Sequence, residues 1–211
     1  KMLDENNAIC AFLVICADDI ILTARKKLLE SDKPPSDHLK PLADLYGITG
    51  MKIWPFDFAA ESSNGQYISN SELKTALEPF EKIRNAVGDK MEIMAELHSM
   101  WNVPMAQRIA NALEPYDLTW LEDPVHMDEL EKVGEVVTAT TMPVAVGELL
   151  GGKAQFRNLL EQGVGLAIMD IVWGGGLTEA RKVAAIADTY SIPFTGNDCT
   201  GQIALKASVH M

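Results

Sequence analysis

Cysteine is scarce in this chain: Cys10, Cys16 and Cys199 are the three it has in 211 residues. They form neither a CxxC pair nor an even set, which excludes a disulfide framework and predicts a reducing, cytoplasmic setting. Basic residues are also few. The chain has 18 against 30 acidic ones, a net charge of −12. That balance argues against nucleic acid and anionic membrane surfaces as partners. An anionic substrate would need local positive charge, from a metal or a lysine. The apolar stretch from Ala8 to Thr23 is too short to span a bilayer and carries Asp18 and Asp19. There is no low-complexity tract.

What is present is a globular composition, 47% hydrophobic and 23% charged, in a chain long enough for a sizeable core. From Ile48 onward, strand-like and helix-like segments alternate. GITGMKIWPF reads as a strand. NSELKTALEPFEKIRNAVG reads as a helix, with Leu73, Leu77, Phe80, Ile83 and Val87 on its apolar side and Gly88 at its end. MEIMAELH, LTWLEDP, MPVAVGE, VGLAIMDIV and IPFTGND follow as strands. They show little alternation, as expected of parallel strands covered on both faces. Between them lie a helix capped by Asn102, with Pro104 in its first turn, and further helices around residues 130–137, 156–160 and 177–187. The last helix begins near Gln202. Residues 1–46 are expected to supply a first strand (AICAFLVI) and a first helix, SDHLKPLADLYG, which runs on to Gly47. The expected architecture is α/β, a TIM-type (β/α) barrel over residues 47–211 that lacks its last strand.

Three glutamates punctuate that repeat. Glu96, Glu122 and Glu148 are each 26 residues apart, and each closes a short apolar run: MEIMAE, DLTWLE, MPVAVGE. One β/α unit takes about that many residues, so the spacing places a carboxylate at the C-terminal end of each of three successive strands. In a barrel those ends meet on one face. Three carboxylates in a dry pocket repel unless a cation lies between them. Oxygen-only ligands select a hard divalent ion, Mg²⁺. Taken singly, each glutamate also reads as a solvated strand-end acid.

His98 follows Glu96 by two residues, so on a strand it faces the same way. It reads either as a general acid or base or as a hydrogen-bonded histidine at the barrel mouth. Lys52 and Trp54 share a parity in MKIWPF; Lys52 either faces the pocket and binds a carboxylate or snorkels out from the barrel end. Asp170 precedes a glycine-rich turn, IVWGGGL, and either orients a histidine or caps that turn. His38, His126 and His210 lie in polar or helical contexts and receive no role.

From Gly47 to Met211 the chain resembles the enolase superfamily, and within it the mandelate racemase-like acid-sugar dehydratases. The carriers are MKIWPFD, AELHSMWN, WLEDP, VAVGELLGG, MDIVWGGGLTEA and FTGNDCTG. The resemblance implies that Glu96, Glu122 and Glu148 bind Mg²⁺, although the first ligand is more often aspartate. It implies a metal-stabilised enediolate formed by removing the proton α to a carboxylate. It makes His98 the acid that helps the β-hydroxyl leave, and Asp170 the partner of a seventh-strand histidine. That histidine is replaced by Asn197, which cannot act as a base near neutrality. Trp54 replaces the second lysine of a Lys-x-Lys pair. The capping domain and an eighth strand are missing from the pattern. The expected partners are a sugar acid and, because an unpaired parallel edge invites pairing, a second copy of the chain. Racemisation or epimerisation, and non-catalytic binding of a metal or sugar acid, stand as alternatives.

Overall fold

The computed structural model describes residues 49–211. The strand and helix expected before Ile48 lie outside the described residues. Six strands follow: β1 (Gly50–Ile53), β2 (Glu92–Glu96), β3 (Trp120–Glu122), β4 (Val144–Val146), β5 (Leu166–Asp170) and β6 (Phe194–Asn197). They form one sheet in chain order, and every neighbouring pair is parallel. Each crossover carries helix. α1 (Asp57–Ser63) and α2 (Asn70–Val87) join β1 to β2, and α3 (Val103–Leu113) leads to β3. α4 (Glu131–Val137), α5 (Gly152–Leu160) and α6 (Leu177–Thr189) serve the next three crossovers, and α7 (Gln202–Val209) follows β6. This is the sequential parallel winding of a (β/α) barrel.

Local chemistry explains the helix starts. Ser69 caps α2 by accepting from the Glu72 amide, while the Glu72 carboxylate accepts from the Ser69 amide at 2.8 Å. That reciprocal box satisfies two N–H groups that the helix cannot pair itself. Asn102 caps α3 by accepting from the Met105 amide at 3.0 Å. Ala106, Ile109, Ala110 and Leu113 form its buried face. α1 was not foreseen: DFAAESS is a short helix that buries only Ala59 and Ala60.

Alternation along the strands sorts the side chains into two layers. Ile93, Ala95, Leu121, Val144, Val146, Ala167 and Met169 join the main core. Met94, Trp120, Ala145 and Ile168 form a separate small cluster on the opposite, inner face. Glu96, Glu122 and Asp170 each follow a member of that cluster by two residues, so they share its face one layer higher. An apolar floor therefore lies under a polar layer at the C-terminal ends of the strands. Among the described residues, no helix is long and apolar enough to cross a membrane.

Candidate metal centre

Parallel pairing sets Glu96 directly opposite Glu122 in register. Both are 1% exposed. Glu148 reaches them differently. β4 stops at Val146, and the chain turns at Gly147, whose φ is +130°. A Cβ at Gly147 would lie 2.5 Å from the Ile168 carbonyl oxygen and 2.8 Å from the Phe156 ring. Only glycine fits that turn, and the turn brings the next residue inward. One carboxylate oxygen from each of Glu96, Glu122 and Glu148 lies within 4.8 Å of the others. This oxygen set fits a hard divalent ion by donor type and by convergence.

The charges present are already arranged around a cation. The Lys52 ammonium donates to Glu96 Oε2 at 2.7 Å and to Glu122 Oε1 at 2.5 Å, with its side chain 7% exposed. Lys52 thus faces inward rather than snorkelling. The other Glu122 oxygen accepts from Trp120 Nε1 at 2.8 Å. Burial disfavours the Lys52 ammonium, but Glu122 and Glu96 outweigh it and raise its pKa above the usual value. Burial, reinforced by Glu96, pushes Glu122 well above the ordinary carboxylate range. The same two causes raise Glu148. Burial would raise Glu96 as well, yet Lys52 beside it holds it below its usual value. The pocket is short of positive charge, as an oxygen-ligand cation site should be.

His98 does not sit on the strand. β2 ends at Glu96, and His98 and Ser99 occupy a left-handed turn, with φ of 51° and 56°. The strand-parity argument for His98 therefore fails. The turn nonetheless returns the residue to the site. The His98 amide donates to Glu96 Oε1 at 2.9 Å, and its Nδ1 lies 3.2 Å from Asp57 Oδ1 and 3.1 Å from Asp57 Oδ2. Trp54 meets the imidazole edge-on, with ring centroids 5.9 Å apart. Burial lowers the His98 pKa, but the hydrogen bond it donates to Asp57 and the charge of Glu96 raise it overall. With Nδ1 held by Asp57, Nε2 remains for a substrate.

Asp170 and Asn197 are register partners on β5 and β6. Asp170 Oδ1 caps its own turn, accepting from the Val172 and Trp173 amides at 2.9 Å each. Its other oxygen faces the Cys199 thiol at 3.8 Å. Asn197 Nδ2 donates to Glu148 Oε2 at 3.1 Å. An open cavity beside the carboxylates is lined by Lys52, Trp120, Glu122, Ile168, Thr195 and Asn197. The structure thus gathers Lys52, Glu96, His98, Glu122, Glu148 and Asn197, and leaves Asp170 occupied by its loop. Sequence reasoning missed Asp57, Trp120 and Asp123. Trp120 was within reach, since it precedes Glu122 by two residues on one strand. Asp57 pairs with a residue 41 positions away, which no local pattern reveals.

The fold and the site define a class: a parallel β/α-barrel protein with a cluster of three carboxylates at its strand ends. A family model described as enolase C-terminal domain-like matches residues 36–211. The chain belongs to the enolase superfamily, in its mandelate racemase/muconate lactonizing branch. A solved enolase of the mandelate racemase subgroup from Agrobacterium tumefaciens is 50% identical, with a TM-score of 0.80 over 83% of this chain and 49% of that one. A D-xylonate dehydratase of Haloferax volcanii is 35% identical over 69% of this chain and 36% of its own length. A D-galactonate dehydratase of Ralstonia nicotianae is 35% identical over 62% of this chain and 34% of its own length. The chain spans about a third of the length of these two dehydratases and about half of the solved enolase.

Proposed function

We propose that this chain is barrel machinery of a Mg²⁺-dependent acid-sugar dehydratase, whose reaction transfers a proton α to a carboxylate to a base outside the residues gathered at the described site and then releases the β-hydroxyl as water. The carrying observation is the convergence of Glu96, Glu122 and Glu148 within 4.8 Å at three adjacent strand ends. A divalent ion held by these three carboxylates supplies Lewis acidity toward the oxygens of a substrate carboxylate. Lys52, 2.5–2.7 Å from two of them, adds a fixed positive charge where an anionic substrate enters. His98, held at Nδ1 by Asp57, donates a proton from Nε2 to the departing hydroxyl. The apolar floor of Met94, Trp120, Ala145 and Ile168 keeps water from beneath the reacting carbon. The names of the similar dehydratases support D-xylonate and D-galactonate as the first substrates to try.

One observation favours a second reading. Asn197 stands beside Glu148 and cannot take up a proton, so the chain would bind the metal and the sugar acid without turning it over. The two readings separate in D₂O with Mg²⁺ and either sugar acid, followed by proton NMR. Under the dehydratase reading, Asn197→His raises α-proton exchange by about 10²–10⁴-fold, the usual worth of a general base. His98→Asn in that background stops water loss and leaves exchange intact. No exchange in Asn197→His with Mg²⁺ bound contradicts the dehydratase reading and favours binding alone.

A further inference from the structure

The residue after the second glutamate has no part in the chemistry above, yet it is fully buried and held by both backbone and side chain. Asp123 is 0% exposed. Its φ is +38°, in the left-handed region that a non-glycine residue enters only when its surroundings force it. Its backbone amide donates to the Ala145 carbonyl at 2.9 Å, and its carbonyl accepts from the Ser99 amide at 2.7 Å. Its side-chain Oδ1 accepts from the Gly147 amide at 2.9 Å. Asp123 therefore ties two separate loops. One is the His98–Ser99 turn that follows Glu96. The other is the Gly147 turn that delivers Glu148.

The side-chain bond matters most for Glu148. Glu96 and Glu122 are fixed by strand pairing, but Glu148 lies beyond the last pair of β4. The Gly147 amide points into a fully buried place, so without an acceptor there it would be left unpaired at substantial cost. The acceptor fixes the peptide from which Glu148 departs. The other carboxylate oxygen, Oδ2, is buried with no hydrogen-bond partner among the described residues.

We propose that Asp123 is a positioning residue for the metal centre: its Oδ1 pins the Gly147 turn and thereby sets Glu148 against Glu96 and Glu122. This rests on the reading of those glutamates as a cation site. Outer partners of metal ligands typically alter affinity by about 10- to 100-fold when lost, and that is the expected size here.

The experiment is calorimetric titration of the full chain with MgCl₂, with amide hydrogen exchange at Gly147 read by NMR. Asp123→Ala is expected to weaken Mg²⁺ binding by about 10- to 100-fold and to remove the protection of the Gly147 amide. Asp123→Asn keeps an oxygen for that amide and is expected to bind within about threefold of the parent chain, with Gly147 still protected. Unchanged affinity in Asp123→Ala overturns the proposal. So does a tenfold or greater loss in Asp123→Asn with Gly147 protected, because the charge rather than the positioning bond would then be what counts. If Asp123→Ala does not fold, the Asp123→Asn result decides alone. A parent chain that binds no Mg²⁺ refutes the metal reading itself, which is a different outcome from a parent that binds and an Asp123→Ala variant that binds equally well.

Discussion

Replacing Lys52 by methionine removes the ammonium that lies between Glu96 and Glu122 while keeping most of the side-chain volume. In the metal-free protein, Glu96 and Glu122 would then face each other buried, at 1% exposure each, with no ammonium 2.5–2.7 Å away. Breaking a buried ion pair by deleting one partner typically costs about 3–5 kcal/mol. At about 2–4 °C per kcal/mol for a chain of this size, the melting temperature should fall by roughly 6–20 °C in EDTA. Burial and Glu96 raise Glu122 above the pKa of an unfolded glutamate, so its ionised form destabilises the fold above that raised pKa. The penalty is complete above that raised pKa and is lost as the pH falls from it toward the unfolded value. Mg²⁺ bound by the three glutamates would supply the missing charge. At 100 times its dissociation constant a ligand adds about 2.7 kcal/mol, and the variant should recover more than the parent gains. Thermal melts in EDTA, and urea denaturation over a range of pH with and without Mg²⁺, measure these effects. A Lys52→Met variant as stable as the parent in EDTA would refute the argument that Lys52 stands in for a cation.

Other perturbations test the scaffold that carries the carboxylate cluster. Arg84 donates to the backbone carbonyls of Tyr116, Gly88, Met91 and Asp117, tying α2 to the strand starts opposite the site; Arg84→Ala should cost on the order of 2–3 kcal/mol in urea denaturation and leave Mg²⁺ affinity unchanged. Glu114 accepts from both Thr140 and Thr141, and these bonds hold its pKa below the usual value. Its contribution is therefore present above the unfolded pKa and lost as pH falls through the lower folded one, so Glu114→Gln should flatten that limb of the stability–pH curve. Gly147→Ala places a Cβ 2.5 Å from the Ile168 oxygen at φ +130°. It should destabilise by on the order of 1–3 kcal/mol and weaken Mg²⁺ binding, read by thermal melts and by calorimetry.

Much of this was legible in the sequence because it follows from periodicity. The α2 and α3 faces follow the helical repeat, and the even spacing of Glu96, Glu122 and Glu148 follows the β/α repeat. What was not legible depends on backbone turns and distant partners. His98 reaches the site through a left-handed turn closed by the Met100-to-Leu97 and Ser99-to-Asp123 bonds, and strand parity gave the right neighbour for the wrong reason. Asp57 opens a seven-residue helix too short to show a period. The orientation of Lys52 was open on sequence grounds; burial of its ammonium between two carboxylates settles it inward. Asp170 had two readings, and the bonds to Val172 and Trp173 engage it as a cap.

The central claim is that Glu96, Glu122 and Glu148 together hold one divalent cation. Calorimetric titration of the chain with MgCl₂, run beside Glu122→Gln, tests it directly. The account predicts one site per chain in the parent and its loss in the variant, which keeps the side-chain shape and removes one ligand charge. A parent that binds no Mg²⁺, or a Glu122→Gln variant that binds as tightly as the parent, would contradict it.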